Sequence, residues 1–294
     1  MEFHYTRIYK DRLFKAIFGR DDDESKKRLL SLYNALNNSN HTDIADLQIT
    51  TIENIIYITM KNDLSFLIDS QLNLYEQQSS FNPNMPLRGL MYFAQLYQEF
   101  LTVNDRDLFT SSLVKIPTPK FIVFYNGSRD FADETKLRLS DAFEIPDTTK
   151  EFEWTATMIN LNRGHSKALQ KNCKPLYDYC IYVERIKENL KVMPRDSAIE
   201  EAVNFAVHEN LLEGFFKRQR MEVMNMSLTE FDQEEYDRHR RAEGHAEGCR
   251  DARLETARNL LKMNLLSVEQ IAQASSLSVE EIRDLQKEMQ TVQV

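Results

Sequence analysis

The run Phe121-Ile122-Val123-Phe124-Tyr125 most tightly limits what this chain can fold into. Successive side chains of a strand point to opposite faces, so an unbroken apolar run requires cover on both sides. Lys115-Ile-Pro-Thr-Pro119 is an extended lead into the run, and Asn126-Gly127 closes it. A strand of this kind belongs in a sheet layered between helices.

The remaining periodicities supply those layers. Ile8, Leu13, Phe14, Ile17 and Phe18 are spaced for one side of a helix that stops at Gly19. Asp21-Asp-Asp-Glu-Ser25 opens a second helix, since acids suit the positive end of the helix dipole. Leu29, Leu30, Leu32, Tyr33 and Leu36 give it a buried stripe, and Asn37-Asn-Ser-Asn40 ends it. Residues 47–60 read as a first strand, and Pro86 marks the start of an apolar helix over Leu87 to Leu101 that bears Arg88. Phe152 to Leu161 reads as a further strand, and the pattern from His165 to about Arg220 is helical. The order helix, helix, three strands, helix, two strands, helices predicts an α/β domain with a mixed sheet flanked by helices.

Composition removes several classes of function. The chain has 294 residues, 42% of them hydrophobic, and a net charge of −9, which argues against coating nucleic acid by bulk electrostatics. No apolar run is long enough for a membrane span, and Met1–Lys10 is too polar for a signal peptide, so a cytoplasmic protein is expected. Cys173, Cys180 and Cys249 lack metal-type spacing and are expected as buried or half-buried free thiols. The six histidines, His4, His41, His165, His208, His239 and His245, show no ligand pairing, and no glycine-rich loop suggests ATP or NAD. Trp154 is expected in the core. Arg163, His165, Lys167, Lys171 and Lys174, followed by Arg185, Lys187, Lys191 and Arg195, form either solvated helix faces or a local basic surface.

Residues 61–78 read as a β-hairpin with its acids at the open end. Leu64, Phe66 and Ile68 alternate with Asp63, Ser65 and Leu67, and Leu72 and Leu74 continue on the return limb. With Ser70-Gln71 as a two-residue loop, Asp63 lies opposite Gln78 and Ser65 opposite Glu76, so Asp63, Glu76 and Gln78 share one face. A loop of odd length would turn Asp63 away from Glu76. Two carboxylates and an amide at the polar end of an apolar face offer the hard oxygens that Mg2+ prefers; a strand end facing solvent carries the same residue types.

The tail differs in kind. Glu234 to Met263 is charged and holds the tandem Arg241-Ala-Glu-Gly244 and His245-Ala-Glu-Gly248. Small residues four apart form rows along a helix, which fits close packing against a partner helix, hence a homo-oligomer, or a loose connector. Ser267-Val-Glu-Gln270 and Ser278-Val-Glu-Glu281 are capping-box signatures that delimit two short helices. Ala272, Ser276 and Ile282 fall at helix-turn-helix spacings, but an acidic first turn after Ser278 repels phosphates, which favours a protein contact over DNA reading.

Taken together, several segments resemble the bacterial Rpn-type proteins, recombination-promoting nucleases and transposases of the PD-(D/E)XK nuclease superfamily. Those segments are Asp11-Arg-Leu-Phe-Lys-Ala-Ile-Phe18, Asp63 with Glu76-Gln-Gln78, Asn82-Pro-Asn-Met-Pro-Leu-Arg-Gly89, Pro117 through Gly127, Lys174-Pro-Leu-Tyr-Asp-Tyr179 and the Ala-Glu-Gly repeat. The resemblance spans essentially the whole chain. It implies a restriction-endonuclease-like fold over residues 1–230, with residues 231–294 as an α-helical tail, and a metal-dependent endonuclease acting on DNA. Asp63 and Glu76 would then hold Mg2+, Mn2+ or Ca2+ with the Gln77 main-chain carbonyl, and Asp11 would match an acid of the family's first helix. Gln78 stands in place of the superfamily's lysine and can hydrogen-bond but brings no charge; Lys61 or Lys15 would be the nearest substitutes. The alternative is a nuclease-fold protein that binds DNA or a protein partner without efficient chemistry.

Overall fold

The computed structural model describes residues 12–50, 64–146, 149, 151–228, 252–262 and 266–291. The chain divides into two compact units, Met1–Glu234 and Glu235–Val294. No helix among the described residues is long and apolar enough to cross a membrane.

The larger unit is α/β. Helices α1 (Arg12–Phe18) and α2 (Asp23–Asn37) precede strands β1 (Gln48–Ile49), β2 (Leu64–Ile68) and β3 (Gln71–Gln78). Helix α3 (Met85–Val103) leads to β4 (Thr118–Tyr125), β5 (Glu134–Arg138) and β6 (Thr155–Asn160). Helices α4 (Lys167–Asn172), α5 (Lys174–Asn189), α6 (Arg195–His208) and α7 (Phe215–Arg218) follow, with helical residues at 220–228. The six strands form one mixed sheet in the order β1-β2-β3-β4-β6-β5. β3, β4 and β6 run parallel, while β1, β2 and β5 are antiparallel to their neighbours.

Both faces of the sheet are covered, as the Phe121–Tyr125 run demands. Phe121, Val123 and Tyr125 pack with Leu72, Leu74 and, from α3, Met85, Tyr92, Phe93 and Leu96. Phe124 and Tyr75 point the other way, into a larger cluster with Phe14 of α1, Leu29 and Tyr33 of α2, and Tyr179 of α5. Helix α2 is capped by Asp22, whose side chain accepts the Ser25 N–H at 2.9 Å, and it ends at Asn38 in the left-handed region. Another left-handed run, at Leu212 and Glu213 (φ 53° and 52°), is held where the buried Asp178 carboxylate accepts the Leu212 N–H at 2.9 Å. Lys174 Nζ neutralises that carboxylate at 2.6 Å.

Three expectations need correction. The hairpin loop is Asp69-Ser70, not Ser70-Gln71: Ile68 pairs with Gln71, and Ser65 faces Leu74 rather than Glu76. Asp69 and Ser70 both adopt positive φ, 50° and 57°, the twist that a two-residue loop needs to join right-handed strands. The slip is two residues, so the faces are unchanged: Ser65, Leu67, Leu72, Leu74, Glu76 and Gln78 remain on one side. Strand β5 was not foreseen, because Glu-Thr-Lys-Leu-Arg at an exposed edge has almost no apolar alternation. The strand expected over 152–161 is shorter, with Phe152 exposed ahead of it. The first-strand reading of residues 47–60 falls mostly outside the described residues, as does the tandem repeat at 241–248.

In the smaller unit, helices Val268–Ser275 and Val279–Thr291 are joined by a turn at Ser276. Ser276 takes φ 56°, the conformation for which glycine is usual, and Ser267 and Gln270 complete a reciprocal capping box. Ile271, Ile282 and Leu285 pack with Ala257 from the helical residues 252–262.

Helix α3 lies so near the sheet that a Cβ at Gly89 would sit 2.3 Å from the Phe121 ring and 3.1 Å from Trp154 Nε1. Gly89→Ala therefore sets a helix-propensity gain of about 1 kcal/mol against an overpacking loss of about 1–3 kcal/mol. The clash wins, so the urea midpoint falls; a rise would show that the ring simply swings aside. Cys173 is buried and Cys180 half-buried, both free, and burial pushes the Cys180 thiol up to about 12. At pH 8 neither offers thiolate, and iodoacetamide should label both only after denaturation.

Candidate functional site

The parallel strands β3, β4 and β6 all end on the same side of the sheet, where open α/β sheets usually place their ligands. Polar side chains gather there. On β3 the alternation carries Leu72 and Leu74 into the α3-side core, and two positions later the same face presents Glu76. Glu76 is completely buried (0% exposed), so its carboxylate needs a compensating cation. Arg88, one turn into α3, provides it: Nη2 donates to Glu76 Oε2 at 2.9 Å and to the Tyr92 hydroxyl at 3.0 Å. The guanidinium carbon also lies 5.7 Å from the centre of the Tyr92 ring. Pro86 pre-sets the first turn of α3, and the short 79–84 link brings Arg88 back over the strand it follows.

Gln78 is nearly buried on the same face as Glu76, and its main-chain carbonyl accepts the Asn126 N–H at 3.1 Å. Gln77 points to the opposite face. Its Nε2 donates to Asn126 Oδ1 at 2.7 Å, and Asn126 Nδ2 donates to the Tyr179 hydroxyl at 3.2 Å. Lys187 of α5 donates to the Asn126 carbonyl and, at 3.1 Å, to Asn162 Oδ1. Asn162 in turn donates to the Gly127 carbonyl at 2.9 Å. A belt of carboxamides thus ties the ends of β3, β4 and β6 together beneath the Glu76 face.

The structure places Glu76 and Gln78 on one face of β3. Asp63 and Asp11 lie outside the described residues, as does Lys61; the last described pair of the hairpin is Leu64 with Tyr75. Lys15 belongs to α1, which packs on the face opposite Glu76. Among the described residues no group of three or more His, Cys, Asp or Glu side chains is placed to hold a metal. His165 is engaged with acids: Nδ1 lies 2.8 Å from Asp133 and Nε2 3.6 Å from Asp130. Of the basic segment, Arg163 pairs with Glu188 and Lys174 with Asp178.

Arg88 and the carboxamide belt are the site features that sequence reasoning did not single out. A signal was present: each parallel strand closes on amides, at Gln77-Gln78 after Glu76, at Asn126 after Tyr125, and at Asn160 with Asn162. Compared with family models, curated proteins and solved structures, the chain matches none.

The Glu76–Arg88 pair makes a stability prediction. Arg88→Met takes the guanidinium from a buried carboxylate and should destabilise the fold by about 3 kcal/mol, since truncating one member of a buried pair costs far more than replacing both. The double variant Arg88→Met/Glu76→Gln should recover at least half of that loss. A denaturation double-mutant cycle with no coupling would refute the pair's role.

Proposed function

We propose that this chain is a divalent-metal-dependent DNA endonuclease of the recombination-promoting type. One observation carries the reading most: a wholly buried glutamate, oriented by arginine, at the polar end of a hairpin strand beside two other parallel strand ends. The resemblance of Asp63, Glu76 and Gln78 to the superfamily's hairpin motif supports it, as does a mixed sheet covered by helices on both faces. A buried carboxylate with a specific charge partner at the strand ends marks a functional-site candidate.

The donors available suit a hard cation. Glu76 contributes carboxylate oxygen and Gln78 amide oxygen, with Asp63 and the Gln77 main-chain carbonyl completing the set that the resemblance implies. A bound Mg2+ would lower the pKa of a water and relieve charge on the pentacoordinate phosphorus. The chain's own residues do the rest. Glu76 is held in one rotamer by Arg88, so that its second oxygen keeps a fixed direction. Gln78 orients a water by hydrogen bonding, and Arg88 supplies on this face a positive charge that Gln78 lacks. Asp11, from the first-helix motif, is the further acid of the proposed site.

A second reading is favoured by the same ion pair. With Arg88 on Glu76 and no lysine at position 78, the fold would serve as a DNA- or protein-binding module with little turnover. Supercoiled plasmid incubated with Mg2+ or Mn2+ separates the two. For the nuclease, nicking requires metal and falls at least about 100-fold in both Glu76→Gln and Asp63→Ala, as expected when a metal-ligating group is removed. Metal-stimulated nicking that Asp63→Ala leaves intact refutes the proposed site. DNA retardation without cleavage, unchanged in Glu76→Gln, establishes the binding module instead.

A further inference from the structure

The loops that follow β3 and β4 build a second feature on the Glu76 side of the sheet. Phe81, from the first loop, and Phe131, from the second, lie with ring centroids 4.9 Å apart. Arg129 covers both: its guanidinium carbon is 4.8 Å from the centre of the Phe81 ring and 5.1 Å from that of Phe131. The two phenylalanines pack against the core cluster on the α3 side, the side of Glu76 and Gln78.

The arrangement is braced from beneath. The Arg129 N–H donates to the Tyr125 hydroxyl at 2.9 Å, and the Tyr125 ring meets Phe131 edge-on at 5.3 Å. The two loops are pinned together at Gly127, where a Cβ would lie 2.3 Å from the Ser79 carbonyl oxygen. Arg129 itself is exposed and forms no ion pair with any described carboxylate. The neighbouring acids are turned to His165 instead: Asp133 contacts it at 2.8 Å and Asp130 stands 3.6 Å away.

An exposed guanidinium seated against two rings loses rotational freedom while its N–H groups can still reach water. Such a fork is pre-organised for the oxygens of a phosphate, which it can grip bidentately. We infer that Arg129, oriented by Phe81 and Phe131, is a phosphate-contacting residue that positions the DNA backbone beside Glu76. The inference rests on the proposed nuclease reading for its substrate, but it concerns binding and can be measured without cleavage.

The test is fluorescence anisotropy of a labelled short DNA duplex with the full-length protein in EDTA, over a series of salt concentrations. Arg129→Gln should weaken binding about tenfold and reduce the slope of log affinity against log salt by about one, the signature of one lost phosphate contact. Arg129→Lys keeps the charge but not the fork, and should recover only part of the affinity. Phe131→Leu should weaken binding by a few-fold with the charge intact, because the guanidinium is no longer held. Arg138→Gln, the same change of charge at the far end of β5, should bind like the parent. The inference falls if Arg129→Gln retains parental affinity, if its loss is the same at every salt concentration, if Arg138→Gln loses as much, or if the parent binds no duplex. Should Arg129→Gln behave as expected while the parent never cuts DNA, Arg129 keeps its role and only the nuclease reading is lost. Should the parent cut and Arg129→Gln bind and cut equally well, the nuclease reading stands and this inference is lost.

Discussion

A sheet covered on both faces leaves its central strands no access to water except at their ends. Strand β3 meets that constraint fully, with every residue from Leu72 to Gln78 buried. Apolar side chains satisfy it for most of the strand's length. At Glu76 an ionisable group enters the same environment, and the ion pair with Arg88 is what makes that tolerable. The approach of α3 to the sheet is part of the same solution, because a helix held further out could not deliver its guanidinium to the strand. Gly89, one residue after Arg88, permits the closeness, so the packing of the helix and the electrostatics of the strand end are a single problem solved once.

At the strand ends the opposite face relies mainly on carboxamides. Gln77, Asn126, Asn162 and Lys187 hydrogen-bond to one another and to main-chain carbonyls where the parallel ladder runs out. Carboxamides both donate and accept, so they can satisfy strand ends without bringing a net charge into the interior. Lys187 adds a cation to this network, spanning the gap between α5 and the β4 loop. The result is a rim that is rigid below and polar above, the condition under which a reacting group keeps its geometry.

Much of this was legible in the sequence, for identifiable reasons. The Phe121–Tyr125 run predicted two-sided burial, and the capping residues of α2 and the Pro86 start of α3 were local signals that tertiary structure did not override. The parity of the hairpin was also readable: a two-residue loop keeps Leu67, Leu72 and Leu74 on one face and Leu64, Phe66 and Ile68 on the other. Its exact loop was not: Asp69-Ser70 and Ser70-Gln71 offer similar turn chemistry, and the difference lies in backbone handedness that composition does not encode. Strand β5 escaped because edge strands carry little hydrophobic signal. Arg88 escaped because the pairing of residues twelve apart depends on how a helix folds back over a strand, which periodicity within either element does not reveal. The ordering of Phe81, Arg129 and Phe131 likewise arises between two loops far apart in the chain.

The same edge strand has a consequence for how copies of the molecule meet. Open sheets expose a row of main-chain donors and acceptors that invites another strand to join, and unprotected edges nucleate ordered aggregates. At β5 one face of the strand carries Glu134, Lys136 and Arg138, all of them exposed. A strand joining this border would have to set its own side chains beside those charges, and charged edge residues of this kind disfavour such pairing. This border therefore acts as a guard rail against lengthening of the sheet by another strand.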